Sequence, residues 1–480
     1  MLAEEASRRT AFVAGGLVDF STMRNTLVVV GAGFSGTVLA ANLLRRPPSR
    51  PTDIVLVERG SSMGRGEAYA EREFPYLLNV PAARLSADSR DPLQFLRYAR
   101  GRLGGADGED FLPRALYGDY LQDVLLQSER AAPAHVRLIR VFDEVRGILR
   151  RDAGKPLAAQ FREREPIPAD FIVLALGTAP PPLPAWAAGA WHHGAFRQNP
   201  RDLPHGLTAE DSVLIVGNGL TMVDAASVLS RDPDRVPMLH TISRRGLLPQ
   251  SQTAFRTGEM QGSGETLLAR AHSLKGLLEA SRTLAREVEK LGGDWREAVT
   301  FIRKLAPRLW RQLPALEQRR FVRHLHAHWD VHRHRLPPQL TARLEQLRRS
   351  GRLRVNAGRI QSVVAADRRL RVSWRPRGSV ATATLLADLV VNATGQHFGI
   401  DDSSDALLIS LRGAGLIAAD ALQLGIRTAR YGACLNAQGV ASQHLFYVGP
   451  MLRADHWEAT AALELRDHAE QLAAHLAGGD

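Results

Sequence analysis

Cysteine is almost missing from this 480-residue chain: Cys434 is the single copy. An intrachain disulfide and a dithiol relay are thereby excluded, so the chain cannot pass electrons as a disulfide reductase does. Long apolar runs are missing too. Leu27–Val30 and Phe171–Leu176 fall far short of the roughly 20 residues that cross a bilayer. The N-terminal stretch Ala11–Val18 is short, holds Gly15 and Gly16 and follows Glu4 and Glu5, a poor fit to a secretory signal. Residues 1–24 read as a loose leader, and the expected location is cytoplasmic. No nucleic-acid-binding motif and no interleaved aromatic platform accompany the net charge of +12. The arginines that carry this charge are assigned to dinucleotide phosphates and anionic substrates, with no nucleic-acid and no membrane partner.

What is present is enough apolar residue, 45%, to build cores for two or three domains. From Asn25 the order is strand, glycine turn, helix, strand: Leu27–Val30, a helix over Phe34–Arg46, then a strand over Asp53–Glu58. The order returns at Ser212–Val216, with a helix over Thr221–Ser230 and a strand over Met238–Ser243. A fainter echo links Ala169–Gly177 with Ala387–Gly395, two buried strands ending in small residues, which read as crossings between domains. The fold class predicted is α/β, with two Rossmann-like dinucleotide-binding domains, the second inserted in the first. The first part of the FAD domain spans 25–182, the NAD(P)H domain 183–386, and the FAD domain returns over 387–480. Apolar residues at helical spacing from Glu265 to Arg349 mark a helical insertion in the second domain, and Pro180, Pro181, Pro182 and Pro184 a stiff linker.

In Gly31-Ala32-Gly33-Phe34-Ser35-Gly36 the first glycine permits the tight turn, the second admits a pyrophosphate, and the third lets helix and strand pack closely. The helix N-terminus favours the negative charge, and Glu58 ends the next strand where a carboxylate can accept from ribose hydroxyls. Gly31, Gly33, Phe34, Ser35, Gly36 and Glu58, with Gly395 and Gly449, are the expected FAD contacts. The second copy, Gly217-Asn218-Gly219-Leu220-Thr221-Met222, keeps two glycines and replaces the third with Met222, so its helix is expected to stand farther from its strand. Its second strand ends in Ser243-Arg244-Arg245, without an acid. Arginines there suit a ribose 2′-phosphate, which favours NADPH over NADH. Gly217, Gly219, Leu220, Thr221, Ser243, Arg244 and Arg245 are the expected NAD(P)H contacts.

With these motifs stand Gly64-Arg65-Gly66-Glu67-Ala68-Tyr69, Leu78-Asn79-Val80-Pro81-Ala82-Ala83-Arg84, Phe111-Leu112-Pro113-Arg114, Tyr117-Gly118-Asp119-Tyr120-Leu121, Trp329-Asp330-Val331-His332-Arg333-His334-Arg335 and Val448-Gly449-Pro450. Together the chain resembles a family of bacterial FAD/NAD(P)-binding proteins that includes FAD-dependent urate hydroxylases and nitrosuccinate-forming aspartate N-monooxygenases. The resemblance spans almost the whole chain. It implies an NAD(P)H-consuming monooxygenase with a small polar or anionic substrate and molecular oxygen as co-substrate. Urate, converted to 5-hydroxyisourate, is the first substrate expected and L-aspartate, N-hydroxylated, the second. One departure is Gly449-Pro450, where many flavoproteins have Gly-Asp against the ribityl chain.

Arg84, Arg335 and Arg453 are the candidates to pair with a flat anion, and Asn79 and Gln396 to read its amide edges. A reading of another class keeps both dinucleotides but no organic substrate, a redox sensor; only catalytic coupling to a substrate separates the two. His324, His328 and His332 share a helical face, but the stretch lacks the His-Glu-x-x-His pattern and carries Arg323, Arg333 and Arg335, so no metal is expected. Trp310, Trp329, Trp457, Tyr69 and Tyr117 are read as core. Gly33-Phe34-Ser35-Gly36 is not a hydrolase elbow, because Thr37 stands where that turn needs glycine.

Overall fold

A computed structural model describes residues 24–151, 155–178, 181–255, 260 and 262–478. The leader expected over 1–24 lies, but for Arg24, outside the described residues, as does Pro180 of the proline linker. The chain divides into two compact units, one of Met1–Pro180 with His397–Asp480, the other of Pro181–Gln396.

In chain order the first unit begins with β1 (Asn25–Val30), β2 (Thr52–Glu58), β3 (Val136–Phe142), β4 (Val145–Arg150), β5 (Leu157–Phe161), β6 (Ile167–Ala169) and β7 (Phe171–Leu174). The second holds β8 (Phe196–Arg197), β9 (Ser212–Val216), β10 (Met238–Ser243), β11 (Leu353–Ala366), β12 (Arg369–Pro376), β13 (Ala383–Ala387) and β14 (Leu389–Asn392). The first unit then resumes with β15 (Ala433–Leu435) and β16 (Ala441–Tyr447).

The first unit's main sheet runs β15-β16-β7-β1-β2-β3, parallel except at the β15 edge. Parallel strands covered on both faces need apolar residues at successive positions rather than alternation, and Leu27 to Val30 and Ile54 to Val57 are all buried. Cores lie on both sides of the sheet: Leu39, Leu43 and Phe95 on one, Ile148, Leu407 and Met451 on the other. A small antiparallel sheet, β4-β5-β6, closes the second face. Asp53, at the start of β2, carries a charge into this interior. Burial would push its carboxyl up, but hydrogen bonds from Arg137 (2.7 and 2.8 Å) and Arg24 (2.8 Å) hold it below the usual carboxylate range.

The second unit repeats the plan in the order β13-β12-β11-β10-β9-β14-β8. Between β10 and β11 runs the helical insertion, from the helix Ser263–Arg270 to the helix Pro338–Arg349, with an internal apolar core of Leu267, Leu284, Val288, Ile302 and Leu309.

The echoed segments Ala169–Gly177 and Ala387–Gly395 do precede the two crossings, at Pro180/Pro181 and Gln396/His397, and they also hold equivalent places in their sheets. β7 lies parallel beside β1, and β14 lies parallel beside β9, so each is the neighbour of the strand that leads into the glycine turn of its own sheet. The equivalence extends to single hydrogen bonds. Asp170 accepts from the Thr26 amide at 2.7 Å, and Asp388 from the Ser212 amide at 2.9 Å. The Ala175 amide donates to Val30 and the Ala393 amide to Val216, at 2.8 and 2.9 Å. The boundary therefore moves: β14 and Gly395 belong to the second unit, and the return to the first begins at His397 rather than at residue 387.

Candidate functional site: two glycine turns and an arginine pocket

In the first unit β1 ends at Gly31, whose φ of +105° is open to glycine alone among common residues. A Cβ here would lie 2.5 Å from the carbonyl oxygen of Ala175, just past β7. At Gly36 a Cβ would collide with the Gly31 carbonyl, so the third glycine does set the approach of helix to strand. The helix Phe34–Arg45 begins at an N-cap Gly33 with no side-chain cap. First-turn amides left without a side-chain acceptor are what a phosphate uses.

Around this turn the structure adds parts that sequence spacing leaves apart. The Gly64 amide donates to the Ala32 carbonyl at 2.7 Å, and Gly33 and Gly66 lie so close that a Cβ on Gly66 would stand 2.9 Å from the Gly33 Cα. Glu58, at the end of β2, accepts from the amides of Ala32 (3.1 Å) and Gly60 (2.9 Å), which puts its carboxylate against the glycine turn. Phe34 stacks on Tyr117 at 6.3 Å, and Tyr69 meets Tyr117 edge-on at 5.0 Å, so these rings are core behind the turn. Gly449 comes just after β16 at the same carboxyl edge of the sheet. Its φ is +154°, and a Cβ would lie 2.5 Å from the Leu176 carbonyl. The Tyr447 hydroxyl fixes this corner, donating to the Leu176 carbonyl at 2.9 Å and accepting from the Met451 amide at 3.0 Å. Carboxyl ends of parallel strands are where doubly wound sheets bind ligands.

The second glycine turn copies the first. Gly217 has φ +118°, and a Cβ there would overlap the Ala393 carbonyl; the helix Leu220–Leu229 starts at Gly219, again without a side-chain cap. Met222, in place of a third glycine, is fully buried in the core that also holds Val213 and Val391. Beyond β10 the two arginines part company. Arg245 donates to the carbonyls of His324 (2.6 Å) and Arg323 (3.3 Å), fastening the π-helical turn Phe321–Leu325 of the insertion. Arg244 instead lines a cleft of about 340 Å³ with Arg359, Arg375, Arg377 and Ser379. Arg359 and Arg375 face each other directly across the β11–β12 ladder, where like charges destabilise a sheet. Among the described residues no carboxylate pairs with any of these four exposed arginines, so the cleft is strongly positive. Ser243 holds the turn, accepting from the Gly246 amide at 3.0 Å.

The substrate-pocket candidates are scattered. Asn79 is half-buried in a loop where Leu77 bridges to Pro113 and the Leu78 amide donates to Leu112, so two motifs distant in sequence zip together. Arg84 in the same loop pairs with Glu109 at 3.2 Å. Arg453 is buried between the rings of Trp457 (4.0 Å) and Phe398 (5.0 Å). In the second unit Gln396 is exposed at the boundary, and Arg335 lies over Phe255 at 5.1 Å. Of the histidines, His332 packs edge-on to Trp295 at 5.0 Å and bonds the His328 carbonyl, while His326 and His334 flank Asp330. Trp310 and Trp457 are buried core. No described helix is long and apolar enough to cross a membrane.

The fold and its two turns define a class, proteins with two dinucleotide-binding domains of like plan. Residues 28–179 match the profile of the FAD-NAD(P)-binding family. No curated protein matches the chain by sequence. Among solved structures it is similar to the FAD-bound cadaverine monooxygenase of desferrioxamine biosynthesis from Erwinia amylovora, at 14% identity and TM-score 0.62, over 95% of either chain. The ornithine hydroxylase of Pseudomonas aeruginosa gives 16% and 0.61, over 95% of this chain and 99% of that one. The L-lysine 6-monooxygenase of Pseudomonas syringae gives 17% and 0.59, over 94% and 99%. At such identities the likeness is one of fold.

Proposed function

We propose that the chain is an FAD- and NADPH-dependent monooxygenase. The observation that carries this is the pairing of two uncapped glycine turns with the four-arginine cleft beyond β10. The residues fit both carriers. Gly31, Gly33 and Gly36 leave room for backbone approach to the FAD pyrophosphate, and Glu58 supplies the acceptor for its ribose. Gly217 and Gly219 do the same for NADPH, while Arg244, Arg359, Arg375 and Arg377 take the 2′-phosphate that NADH lacks. Arg245 is left out of this set, since its guanidinium is committed to the π turn.

FAD held at Gly31, Gly33, Gly36 and Glu58 would supply the two-electron chemistry that links NADPH to oxygen. The overall balance is substrate–H, O2, NADPH and a proton giving substrate–OH, NADP+ and water. Cys434 has no part in it: it is fully buried, and burial pushes its thiol well up, which keeps it protonated and unreactive.

Urate remains the first substrate to try, on the family resemblance. N-hydroxylation of an amine is the second reading, favoured because the similar solved structures are hydroxylases or monooxygenases of cadaverine, ornithine and lysine. The test is aerobic turnover with NADPH and urate, L-aspartate, L-ornithine, L-lysine or cadaverine supplied singly. Consumption of one substrate in step with NADPH supports the reading; NADPH loss yielding only peroxide with every substrate supports the sensor instead.

A further inference from the structure

Arg244 and Arg245 follow β10 as neighbours, yet only one of them reaches the cleft. Arg244 is exposed and lines it, whereas Arg245 is half-buried and bonded to the helical insertion. Its Nη2 donates to the carbonyls of His324 (2.6 Å) and Arg323 (3.3 Å), both within the π turn Phe321–Leu325. Such turns are rare and short in folded proteins, and a guanidinium on a carbonyl makes a charge-assisted bond. Arg245 therefore grips the insertion at an unusual place in its backbone.

The piece of chain that carries both arginines is itself pinned. Ser243 lies across from Ala357 in the β10–β11 register, and its hydroxyl accepts from the Gly246 amide at 3.0 Å. Gly246 has φ +67°, and a Cβ on it would stand 3.1 Å from the Ala357 Cβ. Ala357 leads directly into Gly358 and Arg359, which line the cleft. Past the turn the Gln250 amide donates to the Val331 carbonyl at 2.9 Å, in the helix His326–Arg333 that continues the π turn. The stretch Ser243–Gln250 thus meets the cleft at Arg244 and the insertion at Arg245 and Gln250.

We propose that Arg245 is a positioning residue for coenzyme selection: by gripping the π turn it fixes the backbone from which Arg244 reaches the cleft, and it touches no coenzyme itself. This rests on the reading of the cleft as the 2′-phosphate site. Coupling between two places is reciprocal. If the grip favours binding in the cleft, binding in the cleft tightens the grip by the same factor, so the π turn reports occupancy of the cleft.

The test uses the purified holoprotein and two probes, 2′,5′-ADP and 5′-ADP, which differ by the phosphate in question. Binding is read by calorimetry, and amide hydrogen exchange over residues 321–333 by mass spectrometry. In the wild type 2′,5′-ADP is expected to slow exchange there and 5′-ADP to leave it unchanged. Arg245→Gln should weaken 2′,5′-ADP roughly two- to thirtyfold, leave 5′-ADP unaffected and abolish the exchange response. Phe321→Ala loosens the π turn, where the Phe321 ring packs on Trp310 at 5.9 Å, and keeps the charge of Arg245; it should weaken 2′,5′-ADP as well. A wild-type unfolding midpoint certifies each variant, and the wild-type exchange response is a readout that needs no variant. Wild-type affinity in a folded Arg245→Gln protein, or exchange over 321–333 that 2′,5′-ADP does not slow, would overturn this proposal while the cleft reading stands. So would a loss seen in Arg245→Gln and absent from Phe321→Ala, the mark of missing charge alone. No binding of 2′,5′-ADP by the wild type would overturn both.

Discussion

At Gly36 one hydrogen atom decides whether a helix can reach its strand. A methyl group there meets the Gly31 carbonyl, and overpacking of this kind costs about 1–3 kcal/mol when the surroundings must shift. Gly36→Ala is expected to purify with less bound flavin than wild type, and absorbance of the isolated protein reads this directly. His468 makes a different residue-scale prediction. Burial, then the nearby His456 ring at 4.6 Å, lowers its pKa from 6.5 to about 4. The folded state therefore refuses a proton that the unfolded chain accepts. The stability this represents is complete above about pH 6.5 and is lost as pH falls toward 4, on the order of 2–3 kcal/mol in all. His468→Gln should flatten that acid limb in thermal melts at pH 7 and pH 5, and a limb as steep as in wild type would contradict the assignment.

At the scale of elements the hairpin of β11 and β12 is the part least visible in the sequence. Strand, glycine turn and helix are local in sequence, so Asn25–Val30, Phe34–Arg45 and Ser212–Val216 stand within a residue or two of expectation. Arg359 and Arg375 acquire meaning only through cross-strand register, which no window of sequence displays. Arg244 and Arg245 look alike in sequence, yet one lines the cleft and the other holds carbonyls of the insertion. The echo of Ala169–Gly177 in Ala387–Gly395 is legible as a likeness, but its role as a repeated sheet position requires strand order. Losing a hydrogen bond to a charged group costs about 1.5–3 kcal/mol, roughly 10- to 150-fold. Arg244→Ala and Arg375→Ala should accordingly raise KM for NADPH by that order, with KM for NADH almost unmoved. An equal effect on both coenzymes would place the 2′-phosphate elsewhere.

Across the whole molecule, one plan is used twice. Each unit has its own apolar core and its own glycine turn at the carboxyl edge of a parallel sheet, and the same aspartate-to-amide bond ties strand to strand at Asp170 and Asp388. Two turns of like geometry are set apart by the side chains at the end of the second strand, Glu58 in one unit and the arginine cleft in the other. That contrast is the ground on which we propose FAD for the first and NADPH for the second. The measurement that tests this most directly is anaerobic addition of NADPH, and separately NADH, to the purified protein reconstituted with FAD. The account predicts a yellow protein that bleaches with NADPH at far lower concentration than with NADH and recovers its colour when oxygen is admitted. A protein that stays colourless after FAD is supplied, or a yellow one that neither coenzyme bleaches, would contradict it.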